Sequence, residues 1–197
     1  MATSASTHAA STTVAAPWAT KSWLKAGVVG GVAGFVASMM MAAFAMIASA
    51  TYQHHGFFTP LYHIASTFIS PATLMTSMQH AMAGNAFYFA FGPAVLGAVI
   101  HMMIGAMYGA AFGLAVAALR LRGRVLIAAG AAWGVVVFAI SSWIALPIAA
   151  ALFGSGDQIT HMASMVGYGT FLAEHVLFGA TLGLVLAVHR PAMPGSA

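Results

Sequence analysis

The chain reads as an all-α membrane protein with four spans, and three observations point there. Of its 197 residues, 61% are hydrophobic and 4% charged, which leaves too little polar surface to keep a folded domain in water. Asp, Glu, Lys and Arg are absent from Ala26 through Leu119, a run far longer than the roughly 20 apolar residues that cross a bilayer once. The basic residues stand only beside apolar runs: Lys21 and Lys25 before the first, Arg120, Arg122 and Arg124 midway, and Arg190 after the last.

Clustered Lys and Arg mark the cytoplasmic side of a membrane protein. Both termini are therefore expected in the cytoplasm and the chain in the cell membrane, with an even number of crossings between basic clusters. The predicted spans are residues 26–50, 94–119, 125–152 and 168–188, in a single membrane domain over 21–190. Residues 1–20 are small and hydroxylated without apolar periodicity; they read as a disordered cytoplasmic tail, with His8 an incidental solvated residue, and residues 191–197 as a second tail. The run after Lys25 ends in Ala48-Ser49-Ala50, as a signal-peptide cleavage site would. It exceeds the roughly 7–15 residues of a signal core and reads as a retained span. The formal charge of +4 is not gathered into a patch, so no nucleic-acid partner is expected. The absence of cysteine excludes disulfides and thiolate metal sites.

The first span carries Gly27, Gly30, Gly31, Gly34 and Ser38 at helical spacing, a stripe that lets another helix approach closely. Two short helices are predicted in the connection that follows. Thr59-Pro60 and Ser70-Pro71 each offer a capping hydroxyl before proline, giving amphipathic helices over 60–69 and 71–83 that lie in the interface. In the first, Leu61, Ile64, Ala65 and Phe68 are the apolar face and His63, Ser66 and Thr67 the polar one. Phe87, Tyr88, Phe89 and Phe91 form an aromatic belt where the chain re-enters the bilayer. In the third span, Pro147 predicts a kink. Asp157 is the expected N-cap of a third interfacial helix, over 158–166.

The second span holds a ladder, Gly97, His101, Gly105, Gly109 and Gly113, one residue in four. The string His-x3-Gly-Ala-x2-Gly occurs at His101–Gly109 and again at His175–Gly183, while Gly130 and Gly134 of the third span answer Gly30 and Gly34 of the first. These glycines are expected to pack helices. The pattern predicts two repeats, residues 26–119 and 125–188. Each repeat crosses twice, so the two are parallel, related about an axis along the membrane normal. Pro60-Leu61 with Ile64-Ala65, and Gly97-x3-His101-x3-Gly105-x3-Gly109-x2-Phe112, resemble segments of small four-span bacterial membrane proteins of unassigned function. That resemblance covers residues 26–120 and implies the four-span fold without an activity.

His101, His175 and Glu174 are the candidate functional groups within the spans. An ionisable side chain in hydrocarbon is costly and marks a ligand site or a proton or ion pathway. Each histidine shares its row with glycines and should face a neighbouring helix, to hydrogen-bond across a tight pair or to meet its counterpart. Converging imidazoles would ligate a metal ion or haem. With His80 and His161 in the connections and 14 methionines in the chain, copper suits an imidazole and thioether donor set. His54, His55 and His63 would extend such a site. Glu174, the single carboxylate in a predicted span, is expected to pair with His175, His101 or His161, or to relay protons. No phosphate loop, HExxH or GxSxG is present, so an enzyme is not the expectation. The leading expectation is a non-enzymatic binding or accessory protein with a histidine-lined metal, haem or small-molecule site. The alternative is a small transporter or channel using Glu174 and the histidines. Surplus glycine faces would suit a homo-oligomer or a place in a larger membrane complex.

Overall fold

The computed structural model describes residues 17–189, and the regular structure of those residues is all helical, without strands. His8, Arg190, the tail at 191–197 and most of the tail at 1–20 lie outside them. Helix α1 is Pro17–Ala50, α2 Thr59–Ala65, α3 Ala72–Met82, α4 Phe91–Leu119 and α5 Val125–Ile140. After a π-helical turn at Ser141–Ala145 come α6 Leu146–Phe153, α7 Asp157–Thr160, α8 Met162–Val166 and α9 Tyr168–His189. Four stretches are long and apolar enough to cross a membrane: Ser22–Ala50, Phe91–Leu119, Val125–Phe153 and Tyr168–His189. This fits an integral, multi-pass membrane protein. The first and second helices extend upstream of the spans expected at 26–50 and 94–119.

Two helix pairs build the bundle, and glycine is what lets each form. In the α1–α4 pair Gly30 lies on Gly113 and Gly34 on Gly109: a methyl at Gly109 would stand 2.5 Å from the Gly34 Cα, and one at Gly30 2.8 Å from the Gly113 Cα. In the α5–α9 pair Gly130 lies on Gly183, where a methyl would be 2.9 Å from the Gly183 Cα, and a methyl at Gly179 would be 2.7 Å from the Gly134 amide nitrogen. Backbone cannot step aside as a side chain can, so these helices touch main chain to main chain. Gly105 is filled on its open side by Ser38, and Gly97 meets a different partner, the backbone of Leu61 in α2. The pairs join through α1 and α9, over a core of Ala33, Ala37, Phe112, Val116, Leu126, Phe178, Leu182 and Leu186. That core occupies the end of the bundle carrying the Arg120–Arg124 turn, where Arg120 (φ 55°) and Gly123 (φ 62°) reverse the chain in left-handed conformations.

At the opposite end the connections differ from expectation. The polar face assigned to α2 is not solvated: His63 and Ser66 are buried together with Leu61, Tyr62 and Ala65. Helix α2 is inserted between the bundle and α3, since Gly97 admits its backbone. Thr59 does not cap it; its hydroxyl donates to the His55 carbonyl at 2.5 Å and lies 2.8 Å from the Ser77 hydroxyl of α3. Ser70 accepts from the Ala72 amide at 3.4 Å ahead of α3. The helix expected over 158–166 is broken at His161 into α7 and α8, and its N-cap is Gly156 (φ 81°), with the Asp157 carboxylate exposed. The irregularity expected at Pro147 is the π turn just before it. Proline lacks the N–H that would close an α turn and crowds the preceding carbonyl, and the wider turn relieves both.

A methyl placed at Gly109 or Gly134 should therefore separate a helix pair. We expect Gly109→Ala and Gly134→Ala to lower stability by about 1–3 kcal/mol. Gly92→Ala, at a helical glycine with nothing within 4 Å, should be neutral or stabilising by under ~1 kcal/mol. Thermal unfolding in mild detergent distinguishes the two classes; equal effects at Gly92 and Gly109 would refute backbone contact as the cause.

Candidate functional site

Because α4 packs on α1 and α5 on α9, while α4 and α5 touch each other sparsely, the bundle opens away from the arginine end. A cavity of about 480 Å³ lies there, with α2 over it. Most of its wall is apolar, from Met41, Ile100, Met103, Ile104, Val137, Leu146 and Phe171 among others. His101, Glu174 and His175 all border it, so the structure brings the three intramembrane candidates to one cavity. His63 and Gln53 border it as well.

The histidines take different places relative to the glycine contacts of their own pairs. Gly30 and Gly34 meet Gly113 and Gly109, as Gly130 and Gly134 meet Gly183 and Gly179. In this register Gly109 answers Gly179, so His175 takes against α5 the place that Gly105 takes against α1, and His101 stands one turn farther along α4. The shared His-x3-Gly-Ala-x2-Gly string is thus out of step, by one turn, with the glycine contacts.

Each ring is oriented by a backbone carbonyl. His101 Nε2 is 3.2 Å from the Ser38 carbonyl of α1, the bond across a tight pair that the sequence leads one to expect. His175 bonds within its own helix instead, Nδ1 lying 2.6 Å from the Phe171 carbonyl, with the rings of Phe171 and Phe138 beside it. A carbonyl only accepts, so the facing nitrogen of each neutral ring carries the proton and the other is left as an acceptor. Glu174 is 5% exposed, and among the described residues no hydrogen bond or ion pair holds its carboxyl; the expected pairing with His175, His101 or His161 does not form.

The wider metal site expected from the sequence does not assemble. His80 stacks on Tyr88 with ring centroids 4.6 Å apart, His161 is an exposed neighbour of Asp157 at 3.9 Å, and neither borders the cavity. Among the described residues no three His, Asp or Glu side chains come together as a metal-binding group.

The residue that sequence reasoning placed wrongly is His63. Its Nε2 donates to the Gln158 carbonyl of α7 at 2.7 Å. With Ser155 Oγ donating to the Thr67 carbonyl at 2.7 Å and Gln53 Nε2 to the Val166 carbonyl at 2.7 Å, it ties the connections together over the cavity. A signal for this lay in Tyr62 and Ile64, the large apolar residues on either side of His63, which leave a seven-residue helix no clean polar face.

Models of protein families, curated proteins and solved structures provide no match to this chain. Function must be argued from the site.

Burial lowers the His63 pKa below its ordinary value of 6.5, opposed by the bond to Gln158 and reinforced by nearby His55. Below pH 6.5 the unfolded chain takes up a proton that the folded chain resists, so the stabilising contribution of His63 is complete above that pH and is lost as pH falls. The melting temperature in detergent should drop between about pH 7 and pH 5, and the drop should shrink in His63→Gln. An unchanged slope in the variant would show that His63 does not gate the α2–α7 tie.

Proposed function

We propose that the protein is a membrane-resident binding protein that holds a lipid-soluble small molecule in the cavity bordered by His101, Glu174 and His175. It is arranged as two parallel repeats, α1–α4 and α5–α9, with both termini cytoplasmic. The observation that carries the reading is Glu174: a carboxyl 5% exposed, without a protein partner, at the wall of a largely apolar cavity. An isolated polar group in such a place costs several kcal/mol. Its retention makes sense where a ligand completes it. Convergent polar groups in an apolar pocket of some hundreds of Å³ are the usual form of a small-molecule site.

The repeat is supported by matched glycine registers in the two pairs, and the orientation by the arginine turn. Conduction is the weaker reading, because Phe112, Val116, Leu126, Phe178, Leu182 and Leu186 fill the bundle between the cavity and the arginine end. The homo-oligomer expected from surplus glycine loses that support, since the glycines at 30, 34, 105, 109, 113, 130, 134, 179 and 183 are met by side chains or backbone of the same chain.

Ala45 on α1 and Ala149 on α6 both border the cavity, and phenylalanine at either would fill it without touching the polar groups. Protein purified in mild detergent should carry a molecule extractable into organic solvent at near one per chain. Ala45→Phe and Ala149→Phe should each reduce it at least tenfold while keeping the melting temperature. An absorption band of haem, stoichiometric metal, or equal extractable content in wild type and both variants would overturn the reading.

A further inference from the structure

Resting on the cavity as a small-molecule site, we infer that its ligand is a lipophilic amine that reaches the cavity sideways from the bilayer, its N–H donors meeting Glu174 and the two histidines while its hydrocarbon part lies along α4 and α6.

The polar groups have one chemical character. The carbonyls of Ser38 and Phe171 take the ring protons of His101 and His175, which leaves each neutral imidazole an acceptor at its second nitrogen. Paired with an ammonium, Glu174 is a carboxylate that accepts only, and among the described residues no protein donor reaches it. Three donors around the cavity are spent: the Ser38 hydroxyl on the Gly34 carbonyl at 2.9 Å, the Gln53 amide on Val166 and the His63 ring on Gln158; the hydroxyls of Thr67, Tyr108 and Ser141 also border it and can each donate or accept. With a carboxyl and two ring acceptors at its wall, and hydroxyls that can accept as well as donate, the site favours a ligand that brings donors. An ammonium head has three and a charge opposite to the carboxylate, whereas a fatty acid adds another acceptor and a like charge. A plain hydrocarbon would leave Glu174 without a partner.

The way in follows from helix packing. Met103, Met107, Phe68 and Phe153 border the cavity and are also 52–67% exposed on the outer surface of the chain. They line the gap where α4 and α5–α6 diverge. Phe68 and Phe153, with ring centroids 4.5 Å apart, close its end beneath α2. The end away from the arginines is tied shut by His63, Ser155 and Gln53, and the arginine end is filled by the core. The open side is therefore the apolar one, with flexible methionines at its edge, a side chain suited to admitting varied hydrocarbon.

The test uses the full chain in lipid nanodiscs and two probes of equal length, decylamine and decanoate, with binding read by native mass spectrometry and by the rise in melting temperature. Decylamine should bind at about one per chain and raise the melting temperature, and decanoate should bind at least tenfold more weakly. Glu174→Gln, close in size, should cut decylamine binding tenfold or more without lowering the melting temperature of the ligand-free protein. Met103→Trp should slow uptake several-fold with little change in the amount finally bound. Equal binding of both probes, or decylamine binding that Glu174→Gln leaves intact, would overturn the amine assignment while the cavity reading stands. Binding of neither probe at a cavity that also carries no extractable molecule would overturn both. Unchanged uptake in Met103→Trp would overturn the lateral route.

Discussion

Backbone contact at paired glycines is the constraint on which the rest of the structure depends. In a bilayer there is no hydrophobic gain from bringing two apolar helices together, because lipid tails solvate leucine as well as another helix does. What remains is close van der Waals contact, and Gly30, Gly34, Gly109 and Gly113 obtain it by removing every side chain from the contact line between α1 and α4. Gly130, Gly134, Gly179 and Gly183 do the same for α5 and α9. Each pair is rigid for that reason, and the cavity between them is a consequence of two rigid pairs that meet well at one end only.

The asymmetry between the pairs places the chemistry. At the level of Gly105 in α4, the space is taken by Ser38; at the corresponding level of α9 stands His175, beside Phe138. Next to Phe138 begins the π turn at Ser141–Ala145, for which α1 has no counterpart. The Ser142 hydroxyl within that turn is buried without a hydrogen-bond partner. A π turn admits an extra residue into the helix and is a common place for a helix to change direction. One pair stays regular and carries His101 across to α1, while the other bends and exposes Glu174 and His175 to the cavity.

The span count and the glycine contacts were legible in the sequence because both follow from local rules: hydrophobic length, and small residues at four-residue spacing. The placement of His101 was legible for the same reason, since a polar residue in a glycine row has only the neighbouring backbone to bond. Three things were not. The string shared by His101–Gly109 and His175–Gly183 implies equivalent histidines, yet helix register is set by where Gly30 and Gly130 land, one turn away from that alignment. Helix α2 has the composition of an interfacial segment, but its burial depends on Gly97 leaving room for the Leu61 backbone, a contact between residues distant in sequence. His80 and His161 sit at similar places along the two connections, but ring stacking on Tyr88 and exposure beside Asp157 take them elsewhere. In each case a tertiary contact overrides a pattern that is sound only along one helix.

The hydrogen bonding of the two histidines bears directly on what the cavity can hold. Two imidazoles at one level on facing helices would favour a single small ion or the two faces of a flat macrocycle. With their ring protons committed to separate carbonyls, His101 and His175 present two separate acceptors to the cavity. Glu174 neighbours one of them, on the adjacent face of α9, since consecutive helix positions diverge by about 100°. Three acceptors distributed in this way match a head group with several N–H bonds better than they match one point of coordination. A metal ion would need ligands gathered within about 2 Å of a common centre, and among the described residues no three His, Asp or Glu side chains gather in that way.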